Sequence, residues 1–467
     1  MSSPIHGGRA PEIGRSRWPV LVFLALLQFL IAVDVTVVNI ALPAIGGDFG
    51  VDARHLTWVV TGYTVVGGGL LMAGGRIADL FGRRRTLLVG AVLFGVASLA
   101  AGTAPSLPLL VLARFGQGAG EAIALPAAMS LLALLFPGAR DRSRALGVWA
   151  AVASSGLVLG FLMSGLITEL LHWRWIFLIN LPLVAVVVGA CLLLLPRDAA
   201  PSRAPVDLPG AALLVAAPLL LIFGVIRFGD EDPDPALAGA AVVAGLLCVA
   251  AFPVVERRTE HPLVPLSFFR HRERVLANGA TALFSAALST TFFLMTLHLQ
   301  VERGLSPIAA GAAFLPLAVT LVLATLVVPG IIARLEFART ALLGMATTGV
   351  GIGLLAVTPD TSPLVVSVFP GTVLVAFGMG VGLVALQNAA LRGVTDADAG
   401  VASGVQRCAD QLGGASGIAL YVGVGFSPLR APGTDPFLVS YGLALVGLVL
   451  AVAAVPLLSR RTTPTDA

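Results

Sequence analysis

The chain contains no lysine. All 29 of its basic residues are arginines, set against 25 acidic ones, and charged residues make up only 12% of its 467 positions. A soluble domain carries about 25% charge, so the polar surface needed to enclose a water-soluble core is missing. The 57% of hydrophobic residues exceeds what so little polar surface could bury. The net charge of +4 is not gathered on a polar face, so no nucleic-acid partner is expected. Cysteine is scarce too: Cys191, Cys248 and Cys408 lie far apart inside apolar runs and give neither a disulfide framework nor metal-ligand spacing. No G-x-x-x-x-G-K-S/T loop occurs, which removes ATP as the evident energy source. The histidines (His6, His55, His172, His261, His271 and His298) form no cluster. A polytopic membrane enzyme with paired ligands or an activated nucleophile is therefore not supported, and neither cofactor nor metal is expected.

What the chain does have is length of apolar sequence. A helix needs about 20 apolar residues to cross the hydrocarbon of a bilayer. Fourteen such runs occur: 18–41, 56–75, 86–104, 107–135, 145–168, 175–195, 209–228, 236–255, 276–301, 307–331, 339–358, 363–390, 399–426 and 437–458. The first is too long for a signal peptide and is followed by further spans, so it is expected to stay. Arginine placement orients the chain. With a cytoplasmic N-terminus, 22 arginines fall in cytoplasmic segments, among them Arg15, Arg17, Arg83 to Arg85, Arg140, Arg142 and Arg144. Only Arg54, Arg174, Arg227, Arg303 and Arg430 fall outside, together with the acidic run from Asp230 to Asp234. Both termini, a tail of residues 1–17 and another of 459–467, are thus expected in the cytoplasm. The plan of Leu56 to Ser98 (span, short Arg-bearing turn, span) recurs over Pro307 to Gly353, with Gly330, Arg334, Glu336 and Arg339 in the second turn. Duplicated halves are a mark of secondary transporters.

Ionisable groups inside spans are expensive, at about 2.5–3.5 kcal/mol each on insertion scales, and so call for a reason. Five stand out: Asp34 in the first span, Arg114 and Glu121 in the fourth, Arg407 and Asp410 in the thirteenth. Arg114 and Glu121 are two helical turns apart on nearly one face, with Gln117 between them. The functional reading is a proton relay in which a carboxyl in apolar surroundings is tuned by a guanidinium. The alternative is a static ion pair that only locks helix packing. Arg407 and Asp410, three residues apart, can pair on their own helix; Asp410 as a second protonation or cation-binding site is the competing reading. Asn39, in the first span, joins the candidate cavity residues.

Gly75-Arg76-Ile77-Ala78-Asp79-Leu80-Phe81-Gly82-Arg83-Arg84-Arg85 resembles the signature cytoplasmic loop of the major facilitator superfamily, and Arg114-Phe115-Gly116-Gln117-Gly118-Ala119-Gly120 its fourth-span motif. The Asp34 segment and Trp173-Arg174-Trp175-Ile176-Phe177-Leu178-Ile179-Asn180-Leu181-Pro182 resemble its 14-spanner drug:proton antiporter branch. The resemblance implies an all-α integral membrane fold: a six-helix bundle over 18–195, two inserted helices over 209–255 and a second six-helix bundle over 276–458. It further implies a gating loop of Gly75, Asp79, Gly82 and Arg83, in which Asp79 and Arg83 make charge-assisted bonds at the bundle interface. The branch's fifth-span Gly-Pro-x-x-Gly-Gly is replaced by Gly160-Phe161-Leu162-Met163-Ser164-Gly165. Gly156, Gly160 and Gly165 remain as helix-packing positions. The expected function is proton-coupled efflux of small amphipathic or hydrophobic compounds by alternating access, with protons, a small-molecule substrate and the lipid of the cell membrane as partners and a monomer as the expected state. The alternative is a weakly coupled exporter of an endogenous metabolite or self-made antibiotic.

Overall fold

The structure, a computed structural model, describes residues 17–198, 206–230, 234–357, 362–395, 399–428, 431 and 433–458. Arg15 and most of both tails, the middle of the acidic run, most of the 196–208 connection and Arg430 lie outside the described residues. Within them the fold is all-helical, with no strand.

Helix starts follow from short polar residues placed just ahead of proline. Asp207, Asp234, Ser306 and Asp435 each precede a proline in the first helical turn and accept a backbone N–H from that turn. Proline lacks the donor that the first turn leaves unused, and the side chain satisfies one that remains. These residues open α8 (Leu208–Phe228), α9 (Pro235–Arg258), α11 (Pro307–Ala313) and α17 (Pro436–Ala454). The first half comprises α1 (Arg17–Phe49), α2 (Ala53–Phe81), α3 (Arg83–Gly102), α4 (Leu107–Leu135), α5 (Ala139–Leu170), and α6 (Trp175–Leu178) running on into α7 (Asn180–Leu194). Beyond α9 come α10 (Arg272–Leu297), α12 (Leu315–Val357), α13 (Leu364–Ser367), α14 (Phe369–Ala390), α15 (Ala399–Gly417) and α16 (Gly423–Gly425). Single π-helical turns follow α10 at His298–Glu302 and α15 at Ile418–Val422.

Among the described residues, twelve helical segments are long and apolar enough to cross a membrane. The difference from the fourteen runs in the sequence has two sources. Residues 307–357 form one continuous segment, although its backbone is non-helical at Glu336 (φ 63°, ψ 169°), where two helices meet at a kink. The stretch from Ala399 onward is polar enough to fall outside the count. Large apolar side chains are exposed over many of these helices, for instance Val243, Leu246 and Leu247 on α9 and Leu323 and Leu326 on α12. A surface of this kind belongs in lipid, and the chain is a multi-pass membrane protein.

Packing sets the frame for the site. In the first half α1 lies against α5 and α7, while α2 and α3 both pack on α4. In the second, α12 packs along α14, and α10 against α15 and α17. The two halves touch where α2 meets α15, α5 meets α11 and α1 meets α10; α8 and α9 form a hairpin attached through α8 to α2.

Candidate functional site

At the middle of the first half five helices converge on one polar cluster. Asp34 on α1 is 0% exposed and Arg114 on α4 is 1% exposed. Arg114 Nη1 donates to Asp34 Oδ2 at 2.5 Å and to Gln117 Oε1 at 2.9 Å, while its Nε donates to the Val59 carbonyl of α2 at 2.9 Å. Gln117 Nε2 donates to Asp34 Oδ1 at 3.0 Å and to Ser98 Oγ of α3 at 2.9 Å. Asn180, the first residue of α7, gives Asp34 Oδ1 a further bond at 3.0 Å. The guanidinium lies 4.2 Å over the ring of Tyr63. Every buried polar group needs a partner; here α1, α2, α3, α4 and α7 all contribute to satisfying one carboxylate and one guanidinium. Asp34, Arg114 and Gln117 are therefore brought together as the sequence suggested. Ser98, Asn180 and Tyr63 complete the cluster; of these, Asn180 stood inside the quoted Trp173-to-Pro182 segment, as a lone amide at the head of an apolar run.

Glu121 does not join Arg114. Two turns of helix separate their Cα atoms by about 10 Å, and Arg114 turns to Asp34. Glu121 instead reaches across to the second half, where Gln411 Nε2 of α15 donates to its Oε1 at 3.4 Å. Glu121 Oε2 and Gln411 Oε1 are buried without a hydrogen-bond partner and converge on the bare α-carbon of Gly67 on α2. Cys408 Sγ donates to the Gly68 carbonyl at 2.9 Å one turn away. This junction is a small polar contact between the halves, built on two glycines that let α15 approach α2.

The expected pairing of Arg407 with Asp410 is absent among the described residues. Asp410 takes a 2.5 Å bond from Ser285 Oγ of α10, and Arg407 is exposed. Asn39 bonds only to the Val35 carbonyl of its own helix and stays outside the Asp34 cluster.

In the signature loop, Arg83 Nη2 lies 3.5 Å from Asp79 Oδ1, with the Asp79 side chain 55% exposed. The stronger contacts belong to neighbours. Asp198 accepts the backbone N–H groups of Arg84 and Arg85 at 3.0 and 2.8 Å, closing the start of α3. In return Arg84 donates to the carbonyls of Cys191 and Leu192 at the end of α7. Gly82, with φ of 100°, turns between α2 and α3, and a Cβ there would collide with the Asp198 carboxylate. On α5, Gly156 and Gly160 pack against α1, and Gly165 against the backbone at the start of α11. Ser164 donates to the Val37 carbonyl of α1. Helix α5 carries no internal proline.

Over 94% of the chain and 95% of its own length, a solved peptide transporter POT in complex with sulfate superposes with a TM-score of 0.70 at 16% identity, a likeness of fold alone. In sequence, the chain is 64% identical to a lincomycin resistance protein of Streptomyces lincolnensis, over 95% of this chain and 92% of the relative. It is 35% identical to the puromycin resistance protein pur8 of Streptomyces alboniger (99% and 95%) and 36% identical to the cephamycin export protein CmcT of Amycolatopsis lactamdurans (95% and 93%). The family model of the Major Facilitator Superfamily matches residues 24–418. With its helical architecture, its buried Asp34–Arg114 pair and this kinship, the chain belongs to the Major Facilitator Superfamily and is a transporter, not an enzyme.

Proposed function

We propose that this protein exports small amphipathic or hydrophobic compounds, antibiotics foremost, from the cytoplasm across the cell membrane in exchange for protons. The observation that carries the export reading is the 64% identity, across nearly the whole chain, to a protein that confers lincomycin resistance. Proton coupling is supported by the Asp34 carboxylate, withdrawn from water and neutralised by Arg114, and by the Glu121–Gln411 contact between the halves. One charge moving through 100 mV supplies about 2.3 kcal/mol, or about 50-fold accumulation per proton.

The same reading gives fourteen spans: a six-helix bundle over 18–195, an inserted pair over 209–255 and a second bundle over 276–458. A straight helix of the 51 residues from Pro307 to Val357 would be about 75 Å long, more than twice the hydrocarbon thickness. The backbone break at Glu336 therefore supports two spans there, and the helix from Ala399 through its π-helical turn supports one more. The arginine-rich end is cytoplasmic, with both termini on that side. The two bundles rock about the α2–α15 and α5–α11 contacts in a monomer.

The test is growth of an efflux-deficient host on a panel of antibiotics including lincomycin, with proton release followed in vesicles. Wild type should confer resistance and exchange protons for drug, and Asp34→Asn should abolish both. Resistance that survives Asp34→Asn, Glu121→Gln and Asp410→Asn alike would remove proton exchange through these carboxyls. No resistance from wild type to any compound would remove the export reading.

A further inference from the structure

The α8–α9 hairpin ends, at the arginine-rich side, in two buried acids. Asp207, the cap of α8, is 4% exposed, and Glu256, in the last turn of α9, is 3% exposed. Each carboxylate has one oxygen engaged by a backbone donor: Gly210 N–H bonds to Asp207 Oδ1 at 2.9 Å, and Val264 N–H bonds to Glu256 Oε2 at 3.3 Å. The other two oxygens, Asp207 Oδ2 and Glu256 Oε1, are buried and have no partner. They flank the same small space, since a Cβ on Gly210 would lie 2.5 Å from one and 2.9 Å from the other.

No cation balances the pair among the described residues. Arg257 and Arg258, which follow Glu256, are exposed, as are Glu260 and His261 on the connector, Arg76 on α2 and Arg407 on α15. Arg274 of α10 turns instead to the Gly393 carbonyl at 3.0 Å and to the Phe268 ring. Two adjacent acceptor oxygens without a donor are satisfied by one proton, which turns mutual repulsion into a short charge-assisted O–H···O bond.

We propose that Asp207 and Glu256 form a binding site for a single proton, taken from cytoplasmic water, and that the bound proton fastens the 259–271 connector over the cytoplasmic contact between the halves. The link is direct. Val264, held by Glu256, belongs to one buried apolar cluster with Ala73 of α2, Ala211 of α8, Phe268, and Ala402 and Val405 of α15. Loss of the proton leaves two negative charges in that space, drives α8 and α9 apart at their base and frees Val264. The site is separate from the Asp34 cluster and does not rest on the identity of the exported compound.

The test is hydrogen exchange of residues 259–271 in the full chain in lipid nanodiscs, across neutral pH and corrected for the intrinsic pH dependence of exchange. In wild type the connector should exchange roughly tenfold faster once the pair loses its proton, the worth of about one hydrogen bond. Glu256→Gln supplies a permanent N–H donor to Asp207, so its connector should stay protected at every pH, and Asp207→Asn should act likewise. The infrared difference between wild type and Glu256→Gln should show the loss of one protonated-carboxyl component. A Glu256→Gln connector that keeps the wild-type pH profile, or a wild-type connector indifferent to pH, would overturn the proposal. The two amide variants keep the native shape, so the outcome does not depend on the folding of Glu256→Ala.

Discussion

Asp34 and Arg114 are the buried pair on which the first half is organised, and removing either charge should have unequal consequences. A buried ion pair that loses one member costs about 3–5 kcal/mol, because the survivor is left charged in a low-dielectric interior. In Asp34→Asn the new amide still accepts bonds from Gln117 and Asn180, but it turns an N–H group toward the N–H groups of Arg114. The guanidinium keeps the Val59 carbonyl, Gln117 Oε1 and the Tyr63 ring, so the loss should fall near the lower end, about 3 kcal/mol. Arg114→Gln should be milder: a carboxyl deprived of its partner can take up a proton, whereas a guanidinium cannot shed one. The double variant Asp34→Asn, Arg114→Gln replaces the ion pair by two amides and should recover to within about 1 kcal/mol of wild type, a coupling of roughly 2 kcal/mol or more. Denaturant unfolding of the purified protein at fixed detergent concentration reads all three. A loss under about 1 kcal/mol for Asp34→Asn, or a double variant equal to the sum of the singles, would refute the pairing as the source of stability. The double variant should remain unable to release protons on addition of drug, which separates folding from coupling.

Three further outcomes follow from the geometry. Gly160→Val would drive its side chain into Thr36, which is already bonded to the carbonyls of its own helix, and should cost about 1–3 kcal/mol through overpacking at the α1–α5 contact, read as lowered melting temperature. Asp198→Ala removes the acceptor from two N–H groups at the start of α3 and should cost about 1–2 kcal/mol, with faster proteolysis between α2 and α3. At the opposite end, Asp52 is a carboxyl that burial tends to raise, but bonds from His55 and Arg54 outweigh this and hold it below its ordinary value of 3.8. Such a group adds stability above its unfolded value that is lost as pH falls through the lower folded one. His55 shares that carboxylate and carries its charge only when protonated, so the stability gap between wild type and Asp52→Ala should be widest in mild acid, narrowing as pH rises through neutrality and again as it falls into strong acid.

The cost of burying charge made Asp34 and Arg114 visible in the sequence, and their contact is direct. That same cost says nothing of which partner a charge will choose. Glu121 shares a helical face with Arg114 but is two turns away, and its neighbour arrives from α15, more than 250 positions along the chain. Arg407 and Asp410 have the spacing of a helical pair, yet Asp410 is taken by a hydroxyl on the adjacent helix and the arginine stays exposed. Ser98 and Asn180 were hidden for the opposite reason: small neutral side chains are cheap to bury, so their presence in an apolar run carries little signal until the fold sets them beside a carboxylate. The helical class follows from apolar runs and proline-led starts. The corner at Glu336 is legible too, since it falls in the arginine-bearing break between the runs 307–331 and 339–358, although nothing about a glutamate announces the positive φ it adopts.

Arg114 is tethered to the main chain of α2 through Nε as well as to Asp34 through Nη1. The guanidinium is thus moored to its neighbouring helix independently of the aspartate, as a fixed positive charge. Under the proposed proton exchange, the electrical work of each turnover would come from the hydrogen ion and the cargo alone, so a neutral drug and a cationic one should respond differently to membrane voltage while being driven alike by a pure pH difference.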